Sequence, residues 1–465
     1  MAASTSRSPS FPAAGHLRWQ QLRRCVTAIS TSVLLSVTST LALAADTSWP
    51  QRADGAVAAG LMPQTVERLD AAMRKIVDDQ DVAGMVWLLA KDGKIATFDK
   101  AGMASIEDNR PMELDTVFRI YSMTKPVTGV ALMILHEQGL WDFDDPISKH
   151  VPELANLQVM VRHNEAGEME LEPLTRQPTM RELLNHSAGF GYGLSGNDPV
   201  NNLFREKEVL AAPDLNELIA RVADIPLLFQ PGEQWYYSVA VDIQGYIVEK
   251  LSGQRFGEFL DEKIFTPLGM HDTAFYVKAE DRNRFADVYR WDREQNRLMR
   301  NEERPDRPSY LDASRLESGG GGLVSTTHDY ARFLQMFVNG GELDGQRIIS
   351  QQSIDLMRTN NLRDGLLLRG TDTRPGQAGQ GFGVDFAVIF DPAAAGSAQG
   401  AGTYYWSGAA GTWFWIDPVH DMYWIGMIQS QGGNRPGAAD MRQIAIDIIY
   451  ADPVLNRTQH ARPHH

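Results

Sequence analysis

Past residue 60, apolar positions first repeat at spacings of three and four. Val66, Leu69, Met73 and Ile76 mark one face of an amphipathic helix over residues 62–78. The period then changes. Gly84-Met85-Val86-Trp87-Leu88-Leu89-Ala90 and Ile95-Ala96-Thr97-Phe98 are apolar runs of strand length, and the turn-forming Lys91-Asp92-Gly93-Lys94 between them predicts a β-hairpin. From about 122 to 310, helical patterns separated by long polar stretches dominate. One helix is predicted from Ser122 to Gln138, stopped by Gly139. A second starts after Thr179, where Thr179-Met180-Arg181-Glu182 has capping-box spacing, and a third runs from Asp242 to Leu251 ahead of Ser252-Gly253. Residues 280–310 carry much charge and few apolar anchors and read as a surface excursion.

Strand character returns near the end in Tyr404-Tyr405-Trp406, Thr412-Trp413-Phe414-Trp415-Ile416 and Met422-Tyr423-Trp424-Ile425-Gly426-Met427-Ile428. A last amphipathic helix, Ala438 to Tyr450, is set by Met441, Ile444, Ile448 and Ile449, and residues 454–465 read as a disordered tail. This order predicts an α/β (α+β) fold: an antiparallel sheet built from both chain ends (46–121 and 311–453), flanked by helices, with an inserted, mostly helical lobe at 122–310.

Composition adds a compartment. With 43% hydrophobic and 22% charged residues, the chain is neither disordered nor a multi-span membrane protein in type. Its first 44 residues are not part of that fold. Arg18, Arg23 and Arg24 precede an apolar stretch from Cys25 to Ala44 that closes as Ala42-Leu43-Ala44, the order of a cleavable signal peptide. Export to the periplasm or beyond is expected; the surroundings of Arg23-Arg24 fit a twin-arginine signal poorly. Cleavage would remove Cys25, the only cysteine, and with it any disulfide, thiol nucleophile or thiolate metal site. The formal net charge of −15 becomes more negative still when four arginines leave, so neither nucleic acid nor an anionic membrane is an expected partner.

The candidate chemistry lies at Ser122 and Lys125. Residues three apart share a helix face, so Ser-x-x-Lys can set an amine beside a hydroxyl. A serine hydroxyl needs such a base to become a nucleophile, and an amine serves only where burial and neighbouring positive charge lower its pKa. Pro126 is tolerated only in a first helical turn, which puts Ser122 at the helix N-terminus, where unpaired N–H groups favour a developing oxyanion. Ser-x-x-Lys alone is a weak signal; its setting between strand signals and the apolar helix Val127, Val130, Leu132, Met133 and Leu135 strengthens it.

The segment Phe118-Arg119-Ile120-Tyr121-Ser122-Met123-Thr124-Lys125-Pro126-Val127-Thr128-Gly129 resembles the active-site segment of the serine β-lactamase and penicillin-binding-protein superfamily. It is most similar to the class C branch and its family VIII carboxylesterase relatives. Three further segments follow in that family's order. Met180-Arg181-Glu182-Leu183-Leu184-Asn185-His186-Ser187-Ala188-Gly189-Phe190 resembles "LLTHTSGL". Pro231-Gly232-Glu233-Gln234-Trp235-Tyr236-Tyr237-Ser238 resembles the segment of the catalytic tyrosine. Gly319-Gly320-Gly321-Gly322-Leu323-Val324-Ser325-Thr326-Thr327-His328-Asp329 resembles "GGLxSTxxD". The resemblance spans about residues 62–450. It implies that Tyr237, with Tyr236 as the fallback, relays a proton beside Lys125, and that the N–H groups of Ser122 and Ala409 form an oxyanion hole.

Two departures bear on substrate. Where β-lactamases carry Tyr-x-Asn this chain has Tyr237-Ser238-Val239, and Trp406-Ser407-Gly408 stands where they carry Lys-Thr-Gly. Valine cannot bond an amide, and tryptophan offers an apolar wall with one N–H instead of a cation for a carboxylate. The expected substrate is a small neutral ester, contacted by Trp406, Ser407, Gly408 and Val239. Gly408 is expected to let it approach the strand edge. The alternatives are a β-lactamase or D-amino-acid peptidase, an acyltransferase of the same fold, or a silent binding protein.

Other sites fit less well. Gly193-Leu194-Ser195-Gly196-Asn197 lacks the last glycine of a nucleophile elbow, and His136-Glu137 lacks the second histidine of a zinc site. His186, His328 and His420 read as structural, and the Gly319–Gly322 run as a tight turn under the cleft. No metal or cofactor is expected.

Overall fold

The hairpin expected at 84–98 is the middle of the molecule. In the computed structural model, which describes residues 53–301, 308–366, 368 and 377–458, it forms strands β1 (Gly84–Lys91) and β2 (Lys94–Ser105). β3 (Arg110–Pro111), β4 (Gln380–Phe382), β5 (Ala387–Ile389), β6 (Thr403–Ser407), β7 (Trp413–Asp417) and β8 (Met422–Ile428) complete an eight-stranded sheet in the order β4-β5-β6-β7-β8-β1-β2-β3. Every pairing is antiparallel. The β8–β1 pair, with Leu88 opposite Ile425, joins the two ends of the chain.

β1 reads as an unbroken apolar run because both of its faces are covered. Met85, Trp87 and Leu89 pack with Leu69, Met73 and Ile76 of α1 (Pro63–Asp78) and with Ala445 and Ile449 near the C-terminus. Val86, Leu88 and Ala90 join a larger core on the opposite face. That core takes in α2 (Thr124–Glu137), α3 (Met180–Leu184), α4 (Ala240–Ser252) and α5 (Thr327–Val338). The last helix, α6 (Met441–Tyr450), begins three residues later than the pattern predicted; Asp440 caps it by accepting the N–H groups of Arg442 and Gln443. α3 has the capping box expected at Thr179 and Glu182.

Several expectations need correction. The helical stretch is not all helical: Gln158–His163 pairs with Met169–Pro173 as a hairpin. Residues 280–310 are more than a surface excursion, since Tyr289–Asp292 pairs with Arg297–Arg300 and buries Phe285, Tyr289 and Trp291. Residues 302–307 lie outside the described set. The start of the expected tail needs correction: Pro453–Thr458 is helical, and Leu455 is buried in the core beside α1 and α6. The signal-peptide residues 1–44 and residues 459–465 lie outside the described residues. All the described residues belong to one unit of contacts, so the two expected lobes are parts of one body.

Candidate active site

A short antiparallel pair, Phe118–Arg119 with Val324–Ser325, carries the chain to the site. Ile120 N–H donates to the Leu323 carbonyl, and the chain then tightens into a 3₁₀ turn at Tyr121–Met123 before α2 begins. The α-helix expected to start at Ser122 therefore starts two residues later, and half-buried Ser122 sits in the turn. Tyr121 holds a left-handed φ of 43°, a conformation that costs a non-glycine residue of order 1 kcal/mol. Its ring lies edge-on to Tyr310. The Leu323 N–H donates to Thr124 Oγ1 and the Tyr330 hydroxyl to the Met123 carbonyl, fixing the turn from both sides. Pro126 is the third residue of α2, within the first turn as expected.

Lys125 is fully buried. An ammonium out of water must be compensated by acceptors or by deprotonation. Its Nζ donates to the Gly320 carbonyl at 2.5 Å and to the Tyr192 hydroxyl at 3.4 Å, and lies 4.5 Å from the centre of the Tyr237 ring. The glycine run is thus a turn under the cleft, as expected. Gly320 has to be glycine because a Cβ there would strike the Tyr192 hydroxyl and the Asp242 carboxylate.

Tyr237 precedes α4 on a segment pinned to the α3 end of the chain. Tyr236 N–H donates to the His186 carbonyl, Ser238 N–H to His186 Nδ1, and Val239 N–H to the Gly191 carbonyl. Adjacent side chains then diverge. The Tyr236 hydroxyl accepts from Asn201 Nδ2, whereas Tyr237 lies over Lys125 with a buried hydroxyl that has no partner among the described residues. Of the two tyrosines, Tyr237 is the one brought to Lys125. Burial and the nearby Lys125 hold the His186 imidazole well below its ordinary range, so it is a neutral packing residue against Tyr237. His420 is likewise structural, bonded to Asp417, and His328 is half-buried at the start of α5.

Trp406, near the end of β6, lies beside the same tyrosine, 5.5 Å from its ring and 5.2 Å from that of Phe382. Its indole Nε1 is buried with no partner among the described residues. Ser407 is half-buried and opposes Trp413. The expectation for Gly408 needs correction: a Cβ there would meet the Ile120 carbonyl and Thr412 Oγ1. The glycine is required for the end of β6 to lie against the residue leading into the Ser122 turn. Ala409, in the exposed turn that follows, and Ser122 both have backbone N–H groups that meet no acceptor among the described residues. Val239 is also corrected. It is fully buried in the core at the start of α4 and lines no cleft.

Three groups around Lys125 are additions to the sequence reading: Tyr192, Asp242 and Asp385. Asp242 was legible as the one acid in the apolar run Val239-Ala240-Val241-Asp242-Ile243. A cavity of about 810 Å³ opens beside Tyr121, with Phe285, Tyr310 and several arginines in its wall. Arg110 and Arg300 there pair with Asp287, and Arg315 donates to the Phe275 and Gly322 carbonyls. Among the described residues no group of histidine, cysteine and acidic side chains could hold a metal ion.

An antiparallel sheet between helices, with a Ser-x-x-Lys turn beneath a half-buried tyrosine, defines the class of serine hydrolases with the β-lactamase and penicillin-binding-protein fold. The chain belongs to the Beta-lactamase family, whose model matches residues 69–447. It is similar to Protein Rv1367c of Mycobacterium tuberculosis, 36% identical over 346 residues that cover 73% of this chain and 84% of that protein. It is also similar to Esterase EstB of Burkholderia gladioli, 32% identical over 357 residues covering 73% and 84%. Among solved structures, "EstCE1, a hydrolase with promiscuous acyltransferase activity" superposes with a TM-score of 0.68 at 23% identity, covering 83% of this chain and 98% of that one, a likeness of fold.

Proposed function

We propose that this protein cleaves small neutral carboxylic esters through an acyl-enzyme on Ser122, with Lys125 and Tyr237 as the base and acid. The observation that carries this reading is the fully buried Lys125, one turn from Ser122 and against the ring of Tyr237, whose hydroxyl has no partner among the described residues. In this scheme Ser122 Oγ attacks the ester carbonyl carbon and its proton passes to the Lys125–Tyr237 pair. The tetrahedral oxyanion takes the Ser122 and Ala409 N–H groups. Collapse breaks the C–O bond, and the alcohol leaves with the proton from the pair. Water then repeats the sequence and releases the carboxylic acid; a second alcohol in place of water would give a new ester, the acyltransferase variant.

The preference for neutral esters is supported by the aromatic wall of Trp406, Phe382, Trp235 and Tyr237 where a cation would be needed for a carboxylate. It is supported also by the esterase among the relatives. We propose export as well, from the signal pattern at 1–44. The test is turnover of short-chain p-nitrophenyl esters and of nitrocefin by the protein and by Ser122→Ala. Ester turnover is expected, with a loss of about 10³-fold or more in the variant. Nitrocefin turnover exceeding that of the esters would replace this reading with a β-lactamase.

A further inference from the structure

We infer that Asp242 is the positioning residue of Lys125: its carboxylate holds the Gly320 backbone, to whose carbonyl Lys125 Nζ donates. The inference rests on the reading of Lys125 as part of the acid–base pair. Asp242 lies in the first turn of α4, fully buried between Val241 and Ile243. Its Oδ1 accepts from Ser318 Oγ at 2.5 Å and from the Gly320 N–H at 3.1 Å, while its Oδ2 has no hydrogen-bond partner among the described residues. Gly320 and Tyr192 are the two partners of Lys125 Nζ. The Gly320 backbone is held from its N–H while its carbonyl takes the second Lys125 bond.

The carboxylate also sets the charge next to Lys125. The titratable groups facing the lysine are Tyr237 and Asp242 at α4, Tyr192 and His186 after α3, and Asp385 between β4 and β5. Burial keeps His186 and Asp385 neutral. Burial also raises the Asp242 carboxyl, but Lys125, Ser318, Gly320 and Tyr192 all oppose it. Among the described residues Asp385 has one side-chain hydrogen-bond donor, Gln244. On balance burial still raises the Asp242 carboxyl, but of the two buried acids it has the larger set of donors to offset that burial.

The readout is the pH dependence of ester hydrolysis. A negative charge beside the pair favours its protonated form, so removing the charge lets the base lose its proton at lower pH, whichever member of the pair carries it. For Asp242→Asn, which keeps the size of the side chain, the acidic limb of kcat/KM for p-nitrophenyl acetate should move down by about one pH unit. kcat should fall about tenfold and KM should change by less than about threefold. Ser318→Ala, which removes one donor and keeps the acid, should move the limb in the same direction by less; it decides the matter if Asp242→Asn does not fold. An unmoved limb in the folded variants would overturn the inference, including a loss of kcat that merely follows a lower melting temperature. If the parent enzyme turns over no ester, the functional reading itself fails; if the parent is active and the limb stays, only the role of Asp242 fails.

Discussion

Asp385 shows what a buried acid without a full set of partners does. It is fully buried and left-handed at φ 60°, its Oδ1 accepts from Gln244 Nε2, and its Oδ2 has no partner among the described residues. Burial pushes its carboxyl well above the ordinary range, against the pull of Gln244 and Lys125. The unfolded chain releases this proton near pH ~3.9 while the folded chain keeps it. The native state then binds more protons than the unfolded one, so stability falls as pH rises above that point. Asp385→Asn should remove this loss, and asparagine also accepts the left-handed backbone readily. Thermal melts should show the variant more stable than the parent at pH 7, with the difference shrinking toward pH 4. A difference independent of pH would contradict the account.

At the scale of elements, the decisive junction is the end of β6 against the turn of Ser122. Gly408 permits it because no Cβ intrudes on Ile120 and Thr412. Gly408→Ala should force the two apart and misalign the Ala409 and Ser122 N–H groups, lowering kcat by about 10²-fold. The melting temperature should fall by only a few degrees, since the contact lies at a strand end. Equal activity with a large loss of stability would contradict this. The same junction shows how far the sequence carries. α1, β1, β2, β7, β8 and the position of Pro126 were legible because long apolar periods and one backbone constraint define them. β4 and β5 are three residues each, too short to display a period, and became strands only by pairing with the remote β6. Ser122, Lys125 and Tyr237 were legible from spacing and resemblance, and the structure sets Lys125 against the Tyr237 ring. The packing of Val239 and the closeness of Gly408 to Ile120 depend on contacts between distant segments, which no local pattern records.

For the whole molecule, a sheet closed by the pairing of β8 with β1 makes the site depend on both chain ends, while α2 and α4 deliver Lys125 and Asp242 from between them. The proposed preference for neutral esters rests on the aromatic wall around Trp406. The central claim is a covalent intermediate on Ser122. Rapid acid quenching of the protein during turnover of p-nitrophenyl butyrate, followed by intact-mass measurement and peptide mapping, tests it most directly. The account predicts one butyryl group per chain, on the peptide that contains Ser122, and none in Ser122→Ala. Butyrylation at another residue, or undiminished ester turnover by Ser122→Ala, would contradict it.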